Sequence, residues 1–279
     1  VSEFMWGGME NITLTHNSDR TMFDSKAHPD HSSDGLVAHE LAHQWFGDMI
    51  TTRNWANIWL NEGFATFFSR LYLTKDRGND EGDYIRLGEI RSFKRADKNK
   101  RRPTVDFVYD EPFELFSSHV YAKGSLILTM LRDVLGEEGF WRSIRNYTNE
   151  NKLKNVETSD LKKIIEMTTG QNLDWFFKQW LYEPGFPNYD VSWNYNQRKK
   201  ELSIHVKQTQ DLKTTSLFKM PIKIIVDSGE KKEHVIWVDN LDSVYKIKSD
   251  KRPKMVIFNS GQRVPSNLKM QKSVADLKY

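Results

Sequence analysis

The stretch His39-Glu40-Leu41-Ala42-His43 predicts more about this chain than any other part of its sequence. On a helix, residues four apart project from the same face, so the two imidazoles can point at one spot. Two neutral imidazoles at this spacing are a typical pair of zinc ligands, and Glu40 lies near enough to reach a water beside the metal. The stretch therefore predicts a helix that carries two ligands and a general base.

A third ligand is expected from another part of the chain, because catalytic zinc usually binds three protein groups and keeps one position open. Glu62 is the nearest candidate: eighteen residues separate it from His43, and residues 55–68 have the pattern of a second buried helix. The alternative is an ordinary amphipathic helix with two histidines. The glutamate on a second helix favours one Zn²⁺ ion bound by His39, His43 and Glu62.

Two polar residues near this motif are candidates to hold the zinc ligands in place. Asp48 and Thr66 could accept hydrogen bonds from the imidazoles, since metal-binding histidines usually donate their other ring N–H to such a group. Both positions are equally compatible with simple capping of the helices.

Further motifs follow in an order that is typical of one enzyme family. They are Gly7-Gly8-Met9-Glu10-Asn11, Trp45-Phe46-Gly47-Asp48, Tyr121-Ala122-Lys123-Gly124 and Trp180-Leu181-Tyr182-Glu183-Pro184-Gly185-Phe186-Pro187. With these motifs and the histidine motif, the chain resembles the gluzincin zinc aminopeptidases, which include alanyl, leucyl and puromycin-sensitive aminopeptidases and leukotriene hydrolase. The resemblance covers essentially the whole chain.

The resemblance implies removal of N-terminal residues from peptides by a metal-activated water, with Glu40 as the base. It implies that the Glu10 carboxylate binds the free ammonium group of the substrate, so the expected partners are peptides with a free N-terminus. Tyr121 is expected to stabilise the negative charge that develops on the carbonyl oxygen. The substrate backbone is expected along Gly7, Gly8 and Met9. Gly8 departs from the more common alanine, a change that we expect to leave the backbone contacts intact.

The fold expected from the pattern and the resemblance is multidomain α+β. Residues 1–185 are expected to form a thermolysin-like, mainly helical catalytic domain, in which one helix begins at Ser33 or Asp34 and runs to Gly47. A polar loop is expected over residues 95–102, and a further helix over residues 117–135 is expected to stop at Gly136. After residues 184–187 the hydrophobic period changes to two, which predicts a small antiparallel β-sandwich over residues 186–279. The predicted strands are residues 189–193, 202–206, 222–226, 234–238 and 255–258.

The start of the chain differs from that of the resembling family. Val1 lies six residues before Gly7, and the family's large N-terminal β-domain is not in the sequence. We interpret the chain as a piece of a longer enzyme on which that domain packs. We expect this piece alone to bind zinc but to show little peptidase activity, because its substrate-binding strand lacks neighbours. Turnover equal to that of a longer parent, on one arylamide substrate, would contradict this expectation.

Composition excludes several classes of protein. The chain has no cysteine, which excludes disulfides, thiolate zinc ligands and cysteine catalysis. No apolar run approaches the roughly twenty residues that span a bilayer, so we predict no membrane span. Residues 186–279 carry 18 basic and 10 acidic side chains, but the lysines alternate with apolar residues. This alternation favours a solvated sheet face over a nucleic-acid surface. The sequence is compatible with a cytoplasmic or an extracytoplasmic location.

Two other functions are compatible with a zinc site. A thermolysin-type endopeptidase would cleave N-terminally acetylated peptides, whereas an aminopeptidase that uses Glu10 would not. A catalytically silent peptide-binding scaffold would need neither the zinc ligands nor Tyr121, and it would hold no stoichiometric zinc.

Overall fold

The computed structural model describes residues 2, 4, 6–27 and 30–270, and the chain divides into two compact units, Val1–Phe177 and Lys178–Tyr279. The first unit is mainly helical. Its helices are α1 (Asp34–His43), α2 (Trp59–Arg77), α3 (Asn79–Asn99), α4 (Ala122–Asn151), α5 (Thr158–Thr169) and α6 (Asp174–Phe177). Its short strands are β1 (Gly8–Met9), which pairs antiparallel with β2 (His16–Asn17), and β3 (Ile50–Thr52), which pairs parallel with β4 (Lys154–Val156). The expectation that the substrate-binding strand lacks neighbours is therefore wrong on one side, where β2 pairs with β1.

Helix α2 lies at the centre of this unit, where it contacts α1, α3 and α4. Its aromatic residues Trp59, Phe64 and Phe67 are at most 1% exposed, so their burial supplies much of the hydrophobic stabilisation. The start of α2 is fixed by hydrogen bonds to Thr158 at the start of α5. Trp59 Nε1 donates to Thr158 Oγ1 at 2.8 Å, and Thr158 donates through its backbone N to Asn57 Oδ1 at 2.9 Å.

The backbones of α2 and α4 touch where two glycines meet. A Cβ atom added to Gly63 would lie 2.8 Å from Gly124 Cα, and one added to Gly124 would lie 2.7 Å from Gly63 Cα. Any side chain at either position would push the helices apart. This contact brings the first turn of α4 next to Glu62, which directly precedes Gly63 on α2.

Three helix boundaries differ from the sequence-based expectation. Helix α1 ends at His43 and does not run to Gly47, whose φ of 148° belongs to the turn that follows. Helix α3 continues to Asn99 through residues expected to be a loop, because Asp97 on this stretch is buried against the unit. The helix predicted to stop at Gly136 continues as α4, with a local kink where Gly136 has φ 72° and ψ 166°.

The second unit contains two sheets. Its strands are β5 (Asn188–Asn196), β6 (Glu201–Gln208), β7 (Met220–Asp227), β8 (Lys231–Val238), β9 (Asp242–Lys248), β10 (Met255–Phe258) and β11 (Asn267–Met270). One sheet has the order β10-β7-β8 and the other β11-β5-β6-β9. Alternate residues of β6 and β7 are buried, as the period of two predicted.

The pairing of β11 corrects one prediction for this unit. Strand β11 runs parallel to β5, so the expectation of an entirely antiparallel arrangement is wrong at this edge. The other pairings within these two sheets are antiparallel among the described residues. None of the helices in the described part of the chain is long and apolar enough to cross a membrane.

Candidate metal centre and substrate cleft

Helices α1 and α2 bring the three predicted zinc ligands together. The Oε2 atom of Glu62 lies 3.2 Å from Nε2 of His39 and 3.2 Å from Nε2 of His43, and the two Nε2 atoms are 3.1 Å apart. Zinc–nitrogen bonds of about 2.0–2.1 Å in tetrahedral geometry put neighbouring ligand atoms about 3.3 Å apart. Two imidazole nitrogens and a carboxylate oxygen at this spacing fit one zinc ion.

The orientation of His43 is fixed by a backbone carbonyl. His43 Nδ1 donates to the carbonyl oxygen of Phe46 at 2.9 Å, which turns Nε2 toward His39 and Glu62 and makes it the nitrogen that would bind the metal. Asp48 and Thr66, the candidates from the sequence, make other bonds. Asp48 accepts from Gln44 at 2.8 Å, and the Thr66 hydroxyl donates to the backbone carbonyl of Glu62 at 2.7 Å.

Burial and mutual contact set the charges of the metal-free ligands. Burial alone would lower the pKa of His43, but the hydrogen bond and the charge of Glu62 outweigh it and raise that pKa to about 9. Burial alone would raise the pKa of Glu62, but hydrogen bonds from His39 and His43 lower it to about 2. The metal-free cluster therefore holds a proton at neutral pH that a bound cation would displace.

Glu40 lies beside the ligands under strand β1. Its side chain is buried, and burial raises the pKa of its carboxyl group. Gly8 of β1 passes directly over it: a Cβ atom added to Gly8 would lie 2.8 Å from Glu40 Cγ. The lack of a side chain at Gly8 therefore matters for the site, because the Glu40 side chain occupies the space that the Cβ atom of an alanine would need.

Glu10 approaches the same point from the end of β1. One oxygen of its carboxylate, one of Glu40 and a ring nitrogen of His43 all lie within 4.8 Å of one another. Gln44 holds this segment in place, because its Nε2 donates to the Glu10 carbonyl at 2.9 Å and its Oε1 accepts from Thr13 N at 2.9 Å. Sequence reasoning missed Gln44, and its position directly after His43 is the only signal that could have drawn attention to it.

Tyr121 lies beside His39, immediately before α4. Its ring stacks on the imidazole of His39 with the ring centroids 6.1 Å apart. Burial raises the pKa of Tyr121 far above its ordinary value, and the nearby charge of Glu62 raises it further. The phenol therefore keeps its proton and can act as a hydrogen-bond donor.

One cleft of about 1050 Å³ contains all these groups. The nine residues proposed from the sequence line it: Gly7, Gly8, Met9, Glu10, His39, Glu40, His43, Glu62 and Tyr121. Aromatic side chains form part of its wall, including Trp6, which stacks on Phe113 at 5.8 Å. A buried ion pair between Arg70 and Glu89 also lines the cleft, with 3.0 Å between Nε and Oε1, and sequence reasoning missed it.

The first unit matches a known family of proteins. A family model described as the peptidase family M1 domain matches residues 1–180. The probable aminopeptidase 1 of Sulfurisphaera tokodaii is 34% identical over 194 residues, which cover 67% of this chain and 25% of that protein. The leucyl aminopeptidase of Saccharolobus solfataricus is 33% identical over 199 residues, which cover 69% of this chain and 25% of that protein.

A solved structure supports the fold over almost the whole chain. Aminopeptidase A of Legionella pneumophila, solved in complex with aspartic acid, matches 99% of this chain with a TM-score of 0.82 and 22% sequence identity. The match covers 32% of that chain. This chain therefore spans between a quarter and a third of the length of these similar proteins.

Proposed function

The chain belongs to peptidase family M1, and from this we propose that it carries the catalytic centre of a zinc aminopeptidase. The proposed reaction is hydrolysis of the first peptide bond of a peptide with a free N-terminus. We also propose that residues 1–185 are a thermolysin-like catalytic domain and that residues 186–279 form a β-sandwich. The single observation that carries the functional proposal is the convergence of a zinc-spaced ligand set, Glu40 and Glu10 at one point of one cleft.

The role proposed for each residue follows from the position of its side chain in the cleft. His39, His43 and Glu62 would hold the zinc ion. The chemistry that zinc supplies when bound is a lowered pKa for water and a polarised substrate carbonyl. Glu40 would take the proton of the attacking water on its carboxylate and pass it to the leaving amine, and its raised pKa makes the carboxylate a stronger base for the first transfer.

The remaining residues would position the peptide. The Glu10 carboxylate would pair with the substrate ammonium, and this pairing places the first peptide bond, rather than a later one, at the ligand set. The Tyr121 hydroxyl would donate to the carbonyl oxygen as it gains negative charge, a contribution of about 3 kcal/mol in comparable sites. Strand β1 offers backbone groups to an extended substrate, because Gly7 and Gly8 carry no side chains there.

A substrate panel tests the proposal. The panel, and the kinetic predictions that follow, refer to the longer parent enzyme expected from the sequence, because this piece alone is expected to show little activity. The zinc-loaded parent should hydrolyse amino-acid arylamides and free-amine peptides, and it should leave N-acetylated versions of the same peptides uncut. Equal cleavage of acetylated and free peptides would indicate an endopeptidase. Retention of zinc without cleavage of any member of the panel would favour a binding scaffold.

Changing Glu10 to alanine should weaken the recognition of free amines. The ammonium group loses its counter-charge, so we expect KM for free-amine peptides to rise by roughly tenfold to a hundredfold, which corresponds to about 1.5–3 kcal/mol for a charged hydrogen bond. Steady-state kinetics on matched free and acetylated peptides measure the effect. Glu138→Ala is the control, because that carboxylate is 88% exposed on α4. Unchanged KM in Glu10→Ala, with zinc retained, would leave Glu10 without a role in amine recognition.

A further inference from the structure

Three titratable side chains are buried behind Tyr121. Asp97 of α3 is 2% exposed, His119 is 2% exposed and Lys123 of α4 is fully buried. His119 Nε2 lies 3.5 Å from Asp97 Oδ1, and Lys123 Nζ lies 5.2 Å from the centre of the Phe93 ring on α3. We name Asp97, His119 and Lys123 the Asp97 cluster. Its members are not among the described residues that line the cleft, so the proposed chemistry does not use them directly.

The Asp97 cluster holds the chain on both sides of Tyr121. His119 precedes Tyr121 by two residues and Lys123 follows it by two, and both side chains reach the same end of α3. A third tie is close by, where the hydroxyls of Ser92 on α3 and Ser118 are 2.7 Å apart. The backbone between them is a tight turn, closed by Lys123 N donating to Ser118 O at 2.9 Å. Tyr121 is therefore fixed from the side of α3.

Helix α2 fixes the same turn from the other side. Gly124, the residue after Lys123, lies against Gly63, the residue after Glu62, with no room for a Cβ atom on either. The turn that carries Tyr121 is thus held between α3 and α2. The aromatic ring of Tyr121 lines the cleft and stacks on the imidazole of His39.

The Asp97 cluster is poorly explained as a device for stability. Lys123 Nζ, His119 Nε2 and Asp97 Oδ1 have no hydrogen-bond partner among the described residues, although His119 Nε2 lies 3.5 Å from Asp97 Oδ1 and the other oxygen of Asp97 accepts from Arg101 Nε at 3.1 Å. Burial of such groups costs free energy, and replacing buried ions by apolar groups of similar volume is often neutral or stabilising. The position of these side chains, next to Tyr121 in the sequence, is explained if they fix the position of the Tyr121 ring, whose hydroxyl must meet the substrate carbonyl.

We propose that Asp97, His119 and Lys123 are positioning residues that hold the Tyr121 hydroxyl at the reacting carbonyl. The kinetic consequences rest on the proposed peptidase function. The structural consequence, a displaced Tyr121 ring when the Asp97 cluster is broken, does not depend on it. Displacement by about 1 Å is enough to lower a rate about a hundredfold.

A double-mutant cycle separates positioning from general stability. Lys123→Met should lower kcat on an arylamide by roughly tenfold to a hundredfold, with KM within about twofold and zinc content unchanged. Lys123→Arg, which keeps the charge, should recover part of the loss. In a Tyr121→Phe background, where no hydroxyl remains to position, Lys123→Met should have no further effect on kcat. An equal loss in both backgrounds would overturn the proposal.

The position of the Tyr121 ring can also be tested by a measurement that does not depend on turnover. Fluorine NMR of the chain labelled with 3-fluorotyrosine reports on its 10 tyrosines, and Tyr121→Phe assigns the signal of Tyr121 by its loss. His119→Gln and Lys123→Met should each move or broaden that signal. Lys98→Met, on the exposed face beside Asp97, should not. An unmoved Tyr121 signal in both variants would overturn the proposal. A Tyr121 signal that shifts in the variants, together with an inactive longer parent enzyme, would contradict only the peptidase function.

Discussion

Replacing His43 by alanine should strip the chain of zinc. The wild type is expected to bind one zinc ion through His39, His43 and Glu62, whose ligand atoms lie 3.1–3.2 Å apart. A four-ligand zinc site binds with about 10–16 kcal/mol, so the loss of one ligand removes about 3 kcal/mol and weakens binding roughly a hundredfold or more. Metal analysis after dialysis against a competing chelator measures the result.

The control for this variant is another histidine that contacts an acid. His205→Ala removes an imidazole that lies 2.5 Å from Asp242 in the second unit, and it should leave the zinc content unchanged. Equal zinc content in wild type and His43→Ala would show that the metal, if bound, lies elsewhere.

Proton release offers a second measure of the same site. Because Glu62 raises the pKa of His43 to about 9, the metal-free ligand set keeps a proton at pH 7 that zinc must displace. Zinc affinity should therefore fall as the pH is lowered from about 9. Calorimetry at pH 7 in buffers of different ionisation enthalpy should detect about one proton released per zinc bound in the wild type, and the absence of proton release would contradict this prediction.

The proximity of His39, His43 and Glu62 could be predicted from the sequence because it is mostly a matter of local geometry. His39 and His43 are one helical turn apart, and their shared face follows from the period of the helix alone. Glu62 requires only that a second helix begin near Trp59 and pack on the first. The sequence predicts such a helix from the buried pattern of residues 55–68, although the regular helix extends farther, from Trp59 to Arg77.

The supporting contacts could not be predicted in the same way. The Phe46 carbonyl that orients His43 is a backbone group, so residue type carries no signal for it. Gln44 bonds to the Glu10 carbonyl 34 residues away, and Asp97 meets His119 only after α3 and α4 have packed. The sequence position of His119, two residues before Tyr121, carries no sign of burial, but the structure buries it against Asp97 of α3.

The strands of the second unit also show that local patterns can be predicted from sequence and that contacts between distant segments cannot. Alternating apolar residues and runs of β-branched or aromatic residues predicted five of the strands described in the second unit, because both patterns are local. The direction of β11 was not predictable, since Asn267 pairs with Asn188 across a sequence separation of 79 residues. Its residues are mostly exposed, so hydrophobic periodicity was also absent.

Changing Glu40 to glutamine should abolish most turnover while zinc stays bound. Glutamine keeps the size of the side chain under Gly8 but cannot accept the proton of the attacking water. A positioned general base contributes about a hundredfold to ten-thousandfold to rate, so we expect kcat to fall by that factor. Steady-state kinetics on one arylamide, together with metal analysis of the same samples, measure both quantities.

The kinetic parameters that change in each variant show whether Glu40 or Glu10 is the general base. Glu40 belongs to a crowded set in which the carboxylates of Glu10 and Glu40 lie close to His43, so charge alone does not distinguish the two acids. Glu40→Gln should lower kcat with little change in KM, whereas Glu10→Ala should act mainly on KM for free amines. Glu138→Gln, an exposed exchange of the same type, should change neither. If Glu40→Gln retains one zinc and turns over as fast as the wild type, the base is another group. Glu10 would be the first to test, because it is the other carboxylate at this point of the cleft.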